Sequence, residues 1–183
     1  MKSQWQCLFE NLGQWQGSFT SMSIAGESIE EIPSLLILEA LGEEHARITL
    51  TRESPKHPQP LVMDFTSLGA NLLFFETGAF CQGSMQYAPT SPFGVEFGLI
   101  HRDRRFRLLA MYNAESALET FTIMREQRVG SDAPEQPPLQ VEDLLGCWQG
   151  SAMTLYPDGR NPNAFTTELT IAQSGSTLTQ TLQ

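Results

Sequence analysis

The chain has 183 residues, 40% of them apolar, which is enough for a true core and too apolar for a disordered polymer. Its net charge of −10, from 21 acidic against 11 basic residues, repels phosphate backbones and argues against a nucleic-acid partner. Fourteen glycines and eleven prolines promise many turns, and no apolar run reaches the ~18 residues needed to span a bilayer.

The first ten residues lack the unbroken apolar segment of a secretory leader. Trp5, Leu8, Phe9 and Leu12 recur at i, i+3, i+4 and i+7, one face of a short helix over residues 4–12. Gly13 stands where a glycine would end that helix. Strands are then expected over residues 15–23, 32–41, 45–52, 61–67, 71–77, 80–87, 93–101, 105–112 and 118–125, each bounded by Gly, Pro or Asp turn signals. Residues 34–41 also have helical propensity, which leaves a helix as the alternative there.

Alternation is cleanest in the last three strands. Phe93, Val95, Phe97 and Leu99 share one face opposite Glu96; Phe106, Leu108, Ala110 and Tyr112 oppose Arg105 and Arg107; Phe121, Ile123 and Arg125 share the next. The apolar set is expected to turn inward. Asp64, between Met63 and Phe65, is expected to face out. A meander of eight or nine strands with short connections hides its edges best by closing into a barrel. The fold class is therefore all-β, an antiparallel up-and-down barrel with a short N-terminal helix.

Leu12-Gly13-Gln14-Trp15-Gln16-Gly17-Ser18 recurs as Leu145-Gly146-Cys147-Trp148-Gln149-Gly150-Ser151, six of seven positions at an offset of 133. That period is a domain length, not that of a solenoid repeat. The expected organisation is a barrel over residues 1–129, a Pro-rich linker over 130–138, and the opening strands of a second barrel over 139–183. The second copy holds about three strands, where closure takes about eight, so the chain reads as a fragment of a longer protein; pairing of these strands with the first barrel is the alternative.

No nucleophile elbow, phosphate loop or metalloprotease motif occurs, and His45, His57 and His101 are scattered. No catalytic residue and no metal ligand set is assigned. Cys7, Cys81 and Cys147 are odd in number and show no zinc spacing, as expected of reduced thiols in the cytoplasm. The aromatic set Phe19, Phe65, Phe75, Phe97, Phe106, Tyr112 and Phe121 either fills a small barrel or walls one ligand pocket. His101, Arg102, Arg104, Arg105 and Arg107 read as a solvated turn, or as a rim for an acidic ligand.

Gly13-x-Trp15 after a short helix resembles the lipocalin (calycin) signature. The resemblance implies that Trp15 closes the barrel floor under a basic residue of the last strand, Arg125 by parity with Arg128 in reserve, and that Trp148 repeats the role. The longer repeated string is similar to an uncharacterised two-barrel lipocalin-like family of phototrophs. More distantly it resembles the phycobiliprotein lyases, whose Gly-x-Trp-x-Ser-x-Arg becomes Gly17 and Phe19 at the last two positions here. The implied function is non-catalytic binding of an apolar or amphipathic small molecule, such as a bilin or other tetrapyrrole, a fatty acid or another lipid. The alternatives are a lyase-like bilin chaperone acting on a phycobiliprotein and a ligand-free protein scaffold; separately, Cys81 is a candidate thiol ligand or covalent bilin site, or a small buried filler.

Overall fold

In the computed structural model, which describes residues 2–84, 88 and 90–183, the chain divides into two units, Met1–Ala133 and Pro134–Gln183. The first opens with α1 (Gln4–Phe9). A capping box starts it: Ser3 Oγ accepts from the Gln6 amide, and the Gln6 side chain accepts from the Ser3 amide. Nine strands follow: β1 (Gly13–Met22), β2 (Ser28–Gly42), β3 (His45–Arg52), β4 (Leu61–Phe65), β5 (Leu72–Phe74), β6 (Phe80–Gly83), β7 (Phe93–His101), β8 (Arg104–Tyr112) and β9 (Leu118–Arg128). Residues 34–41 are strand, because Leu36 and Leu38 must alternate into the core. Residues 85–87 of the expected sixth strand lie outside the described residues.

The sheet order is β4-β3-β2-β1-β9-β8-β7-β6-β5, every pairing antiparallel. Because β1 pairs β9, the meander curls on itself. The expected closed ring is not completed by hydrogen bonds: among the described residues no ladder joins β4 to β5. Helix α1 reaches both of these edge strands. Trp5 stacks on Phe65 of β4 at 6.0 Å, and the Gln4 amide bonds both peptide groups of Phe74 in β5. A helix that presents an amide to one edge and a ring to the other replaces the missing ladder.

The second unit holds α2 (Val141–Leu144), β10 (Gly146–Thr154), β11 (Asn163–Ser174) and β12 (Thr177–Leu182), the strands forming a three-stranded sheet in that order. It repeats the first unit in detail. Gly13 and Gly146 both take a left-handed φ, +120° and +128°. Trp15 Nε1 donates to Asn11 O at 2.9 Å, and Trp148 Nε1 donates to Leu144 O at 2.8 Å. Trp15 pairs Leu36, and Trp148 pairs Leu169 at the same offset. The offset slips by one in the following hairpin, where β2–β3 carries a bulge between Ala40 and Gly42. The burial differs: Trp15 is wholly buried, Trp148 half exposed.

Candidate functional site

The interior of the first unit is divided between two chemistries. Leu36 and Leu38 of β2, Ala46, Ile48 and Leu50 of β3, Phe65 of β4, Phe74 of β5 and Phe80 of β6 make one wall together with α1. The facing wall, from β7 to β9, is charged. Glu126 accepts from Arg105 Nε at 2.7 Å and Nη2 at 3.0 Å, and from Arg107 Nε at 3.0 Å and Nη2 at 2.9 Å. Arg107 Nη1 donates onward to Glu96 at 3.0 Å. Burial works against the Glu126 carboxylate, but Arg107 and Arg105 more than offset it and hold its pKa below the ordinary value. Arg107, disfavoured by burial as well, is raised on balance by Glu126 and Glu96. Burial instead draws Arg105 down against the pull of Glu126, yet a guanidinium starts so far above neutrality that both arginines stay charged.

This arrangement reverses the facing expected of the last three strands. Cross-strand partners share a face, and the rows run Ile100–Arg105–Glu126–Gly17 and Gly98–Arg107–Met124–Phe19, all inward. Phe97, Phe106, Tyr112 and Phe121 therefore stand on the outer face, away from the inward rows; Phe97 is 51% exposed. Alternation was present, but charge pairing inside the barrel fixed its phase. Phe19 and Phe65 do face inward, Phe19 with Arg107 over its ring at 5.5 Å. Phe75 follows β5 and lies outside the cavity wall, where its neighbour Phe74 sits. Gly17 fits its crowded position for a steric reason: a Cβ there would lie 2.1 Å from Arg125 O across the β1–β9 ladder.

The closing residue over Trp15 is also corrected. Arg125 points out, 3.9 Å from Glu31. Arg128 and Arg105 lie over the Trp15 ring, 4.3 and 4.6 Å from its centroid. Arg128 Nη1 also donates to Leu12 O at 2.6 Å, tying the last strand to the chain that leaves α1. The buried indole, the buried Arg105, the half-buried Arg128 and the helix exit thus form one joint. In the second unit, no such arginine lies over the Trp148 ring among the described residues. Of the basic cluster, Arg105 and Arg107 are inside; His101 and Arg102 are exposed at the hairpin. Asp64 faces out, as expected, bound to Arg47 at 2.6 and 2.8 Å.

Between the two walls lies a cavity of about 200 Å³, lined by Leu36, Ile48, Phe65, Phe74, Phe80, Arg105 and Arg107 among others. A second hollow of about 320 Å³ lies over Asn71, Gln82, Gly83, Gly94, Glu96, Leu109 and Met111. Gln82 and Glu96 border both hollows. Asn11 reaches the cavity from behind α1. Its Nδ2 donates to Gly78 O at 2.8 Å, while its Oδ1 is buried without a hydrogen-bond partner. No group of three or more His, Cys, Asp or Glu among the described residues is placed to hold a metal, and no described helix is long and apolar enough to cross a membrane.

A curled nine-stranded antiparallel meander plugged by a short helix, with a tryptophan under two arginines at its base, is the architecture of the first unit. Residues 1–131 match the family described as domain of unknown function DUF3598, N-terminal, and the chain belongs to that family. Residues 135–183 match the family described as biogenesis factor required for ATP synthase 1, C-terminal domain. The crystal structure of a DUF3598 protein of unknown function from Nostoc punctiforme is 39% identical, with a TM-score of 0.92 over all of this chain and 68% of that one. An S-type phycobiliprotein lyase from Guillardia theta is 14% identical, with a TM-score of 0.48 over 68% of this chain and 92% of that one. No curated protein matches the chain.

Proposed function

We propose that the first unit is a non-catalytic binding module for a small amphipathic molecule. The carrying observation is the divided cavity. Its apolar wall suits a hydrocarbon body, and the Glu96–Arg107 pair at its border suits a polar head. The volumes of the two hollows sum to within the ~300–1,000 Å³ of ordinary ligand sites. The unpaired Asn11 Oδ1 offers an acceptor to a ligand N–H or O–H.

A bilin fixed covalently on Cys81 has weaker support. Burial pushes the Cys81 thiol up, away from the thiolate that such a link requires. The free thiols of Cys7, Cys81 and Cys147 suit a reducing compartment, and we assign the protein to the cytoplasm on that ground. We read the second unit as the opening strands of a like barrel, from its matched register and indole hydrogen bond.

The test is a titration of the full chain with dodecanoate and, separately, biliverdin, followed by calorimetry. One-to-one binding of either is expected, lost in Leu36→Trp, which fills the cavity while the circular dichroism spectrum is kept. No binding of either probe, or binding that Leu36→Trp leaves intact, overturns the reading.

A further inference from the structure

The inverted phase of β7–β9 leaves a consequence on the outside. Cross-strand rows Leu99–Phe106–Arg125 and Phe97–Leu108–Ile123, with Phe121 in the row beyond, lie on the outer face of these strands, apolar but for Arg125 at the β9 side. Phe97, Leu99 and Phe106 are 51%, 61% and 41% exposed. Four strands, β6 to β9, at ~4.8 Å spacing and some seven residues at ~3.3 Å each give a footprint on the order of 19 by 23 Å. That is about 440 Å², within the roughly 300–600 Å² of the largest apolar patch on a soluble monomer, a patch that is often functional.

We propose that this face docks a second copy of the chain, sheet against sheet, about a two-fold axis lying in the interface and perpendicular to the strands. The charges at its two ends select this occupant. The β7–β8 hairpin end carries the exposed Arg102, whereas the β8–β9 hairpin end carries the exposed Glu115 and Glu119. The only acid in the β7–β8 turn, Asp103, is engaged by Arg128 at 3.5 Å. A surface that is apolar in the middle, basic at one end and acidic at the other complements its own copy when the copy is reversed along the strands. An axis parallel to the strands would set like charges together. The footprint is about half the ~800 Å² per partner of an ordinary interface, so the association is expected to be weak, with a dissociation constant of roughly 100 micromolar or above. This inference does not depend on the ligand reading.

Sedimentation equilibrium of the full chain over micromolar to near-millimolar concentrations is the test. A reversible monomer–dimer equilibrium is expected. Phe97→Glu, at an exposed position, should weaken it by about tenfold or more without changing the melting curve. Glu119→Lys and Arg102→Glu should each weaken it at low salt, and the two together should recover the loss. A wild-type chain that stays monomeric throughout overturns the proposal. So does association that Phe97→Glu leaves intact, which would place it elsewhere, such as on the exposed Trp148 sheet. Failure of the double reversal to recover the loss overturns the two-fold arrangement.

Discussion

Gln4 treats Phe74 as a neighbouring strand would: its Nε2 donates to Phe74 O at 2.9 Å, and its Oε1 accepts from the Phe74 amide at 2.8 Å. Phe75 N–H bonds Ala79 O inside the hairpin, so the Phe74 peptide groups point to the opposite, unpaired edge. One side chain thereby satisfies the donor and acceptor that a strand across the gap would have taken.

Gln4→Ala should therefore destabilise the first unit by about 1–2 kcal/mol, the cost of leaving partly buried peptide groups unpaired. Gln4→Glu should fail to rescue it, because a carboxylate accepts from the amide but repels the carbonyl. Urea unfolding measures the loss. Amide exchange should show faster exchange at Phe74 while Phe75 stays protected. Unchanged exchange at Phe74 would mean that α1 does not guard this edge.

Glu126 is the single carboxylate shared by two buried guanidinium groups, its side chain wholly shielded from solvent. Glu126→Gln takes the carboxylate from Arg105, leaves Arg107 with Glu96 alone, and should cost about 3–5 kcal/mol. Replacing the set together, Arg105→Met, Arg107→Met and Glu126→Leu, should recover most of that loss, since hydrophobic side chains of similar volume escape the desolvation cost. Thermal melts of the single and triple variants decide it. A triple variant no more stable than Glu126→Gln would show that the charges do more than neutralise one another.

These same residues mark the limit of what the sequence discloses. Period two in β7, β8 and β9 is plain from Phe93 to Arg128, and so is the strand cadence. Period alone does not say which face is inside. Large apolar side chains normally choose the interior, and Phe97 and Phe106 do not, because Arg105, Arg107 and Glu126 satisfy one another there. Spacing offered one clue: Glu126 falls in register with Arg105, but only once the β8–β9 pairing is known. Trp15 and the Gly13 turn were legible because they recur in the second unit. Parity with Phe121 and Ile123 points to Arg125, three residues before the Arg128 that covers Trp15, because that parity is the outward one. Phe74 was missed for its neighbour Phe75 because β5 is only three residues long.

Stability should depend on acid through Glu126. Its pKa is lowered in the folded state, so the unfolded chain binds the proton more readily. The contribution is fully present above the unfolded carboxyl value of about 4.3. It is lost as pH falls from there through the depressed folded value. Asp64 is lowered too, chiefly by its hydrogen bonds to Arg47, but that pair is exposed and adds little. Urea midpoints measured from pH 7 to pH 3 should fall steeply below about pH 4. In Glu126→Gln the curve should start lower and fall less. A variant with the wild-type slope would move the acid sensitivity to other carboxylates.

The joint at Trp15 separates Arg128 from Arg125, which sit three residues apart on opposite faces of β9. Arg128→Ala removes a guanidinium over a buried indole and the donor to Leu12 O, and should cost about 2–3 kcal/mol from the cation–π contact and the charged hydrogen bond combined. Arg128→Lys should recover only part, because a point charge does not reproduce the planar fork. Arg125→Ala, at an exposed pair with Glu31, should stay within about 0.5 kcal/mol of the parent. Urea unfolding of the three variants in a Trp148→Phe background, followed by tryptophan fluorescence, resolves the order. Equal losses at Arg125 and Arg128 would mean that the buried face of β9 is not the one carrying Met124, Glu126 and Arg128, and the inward charge network would fall with it.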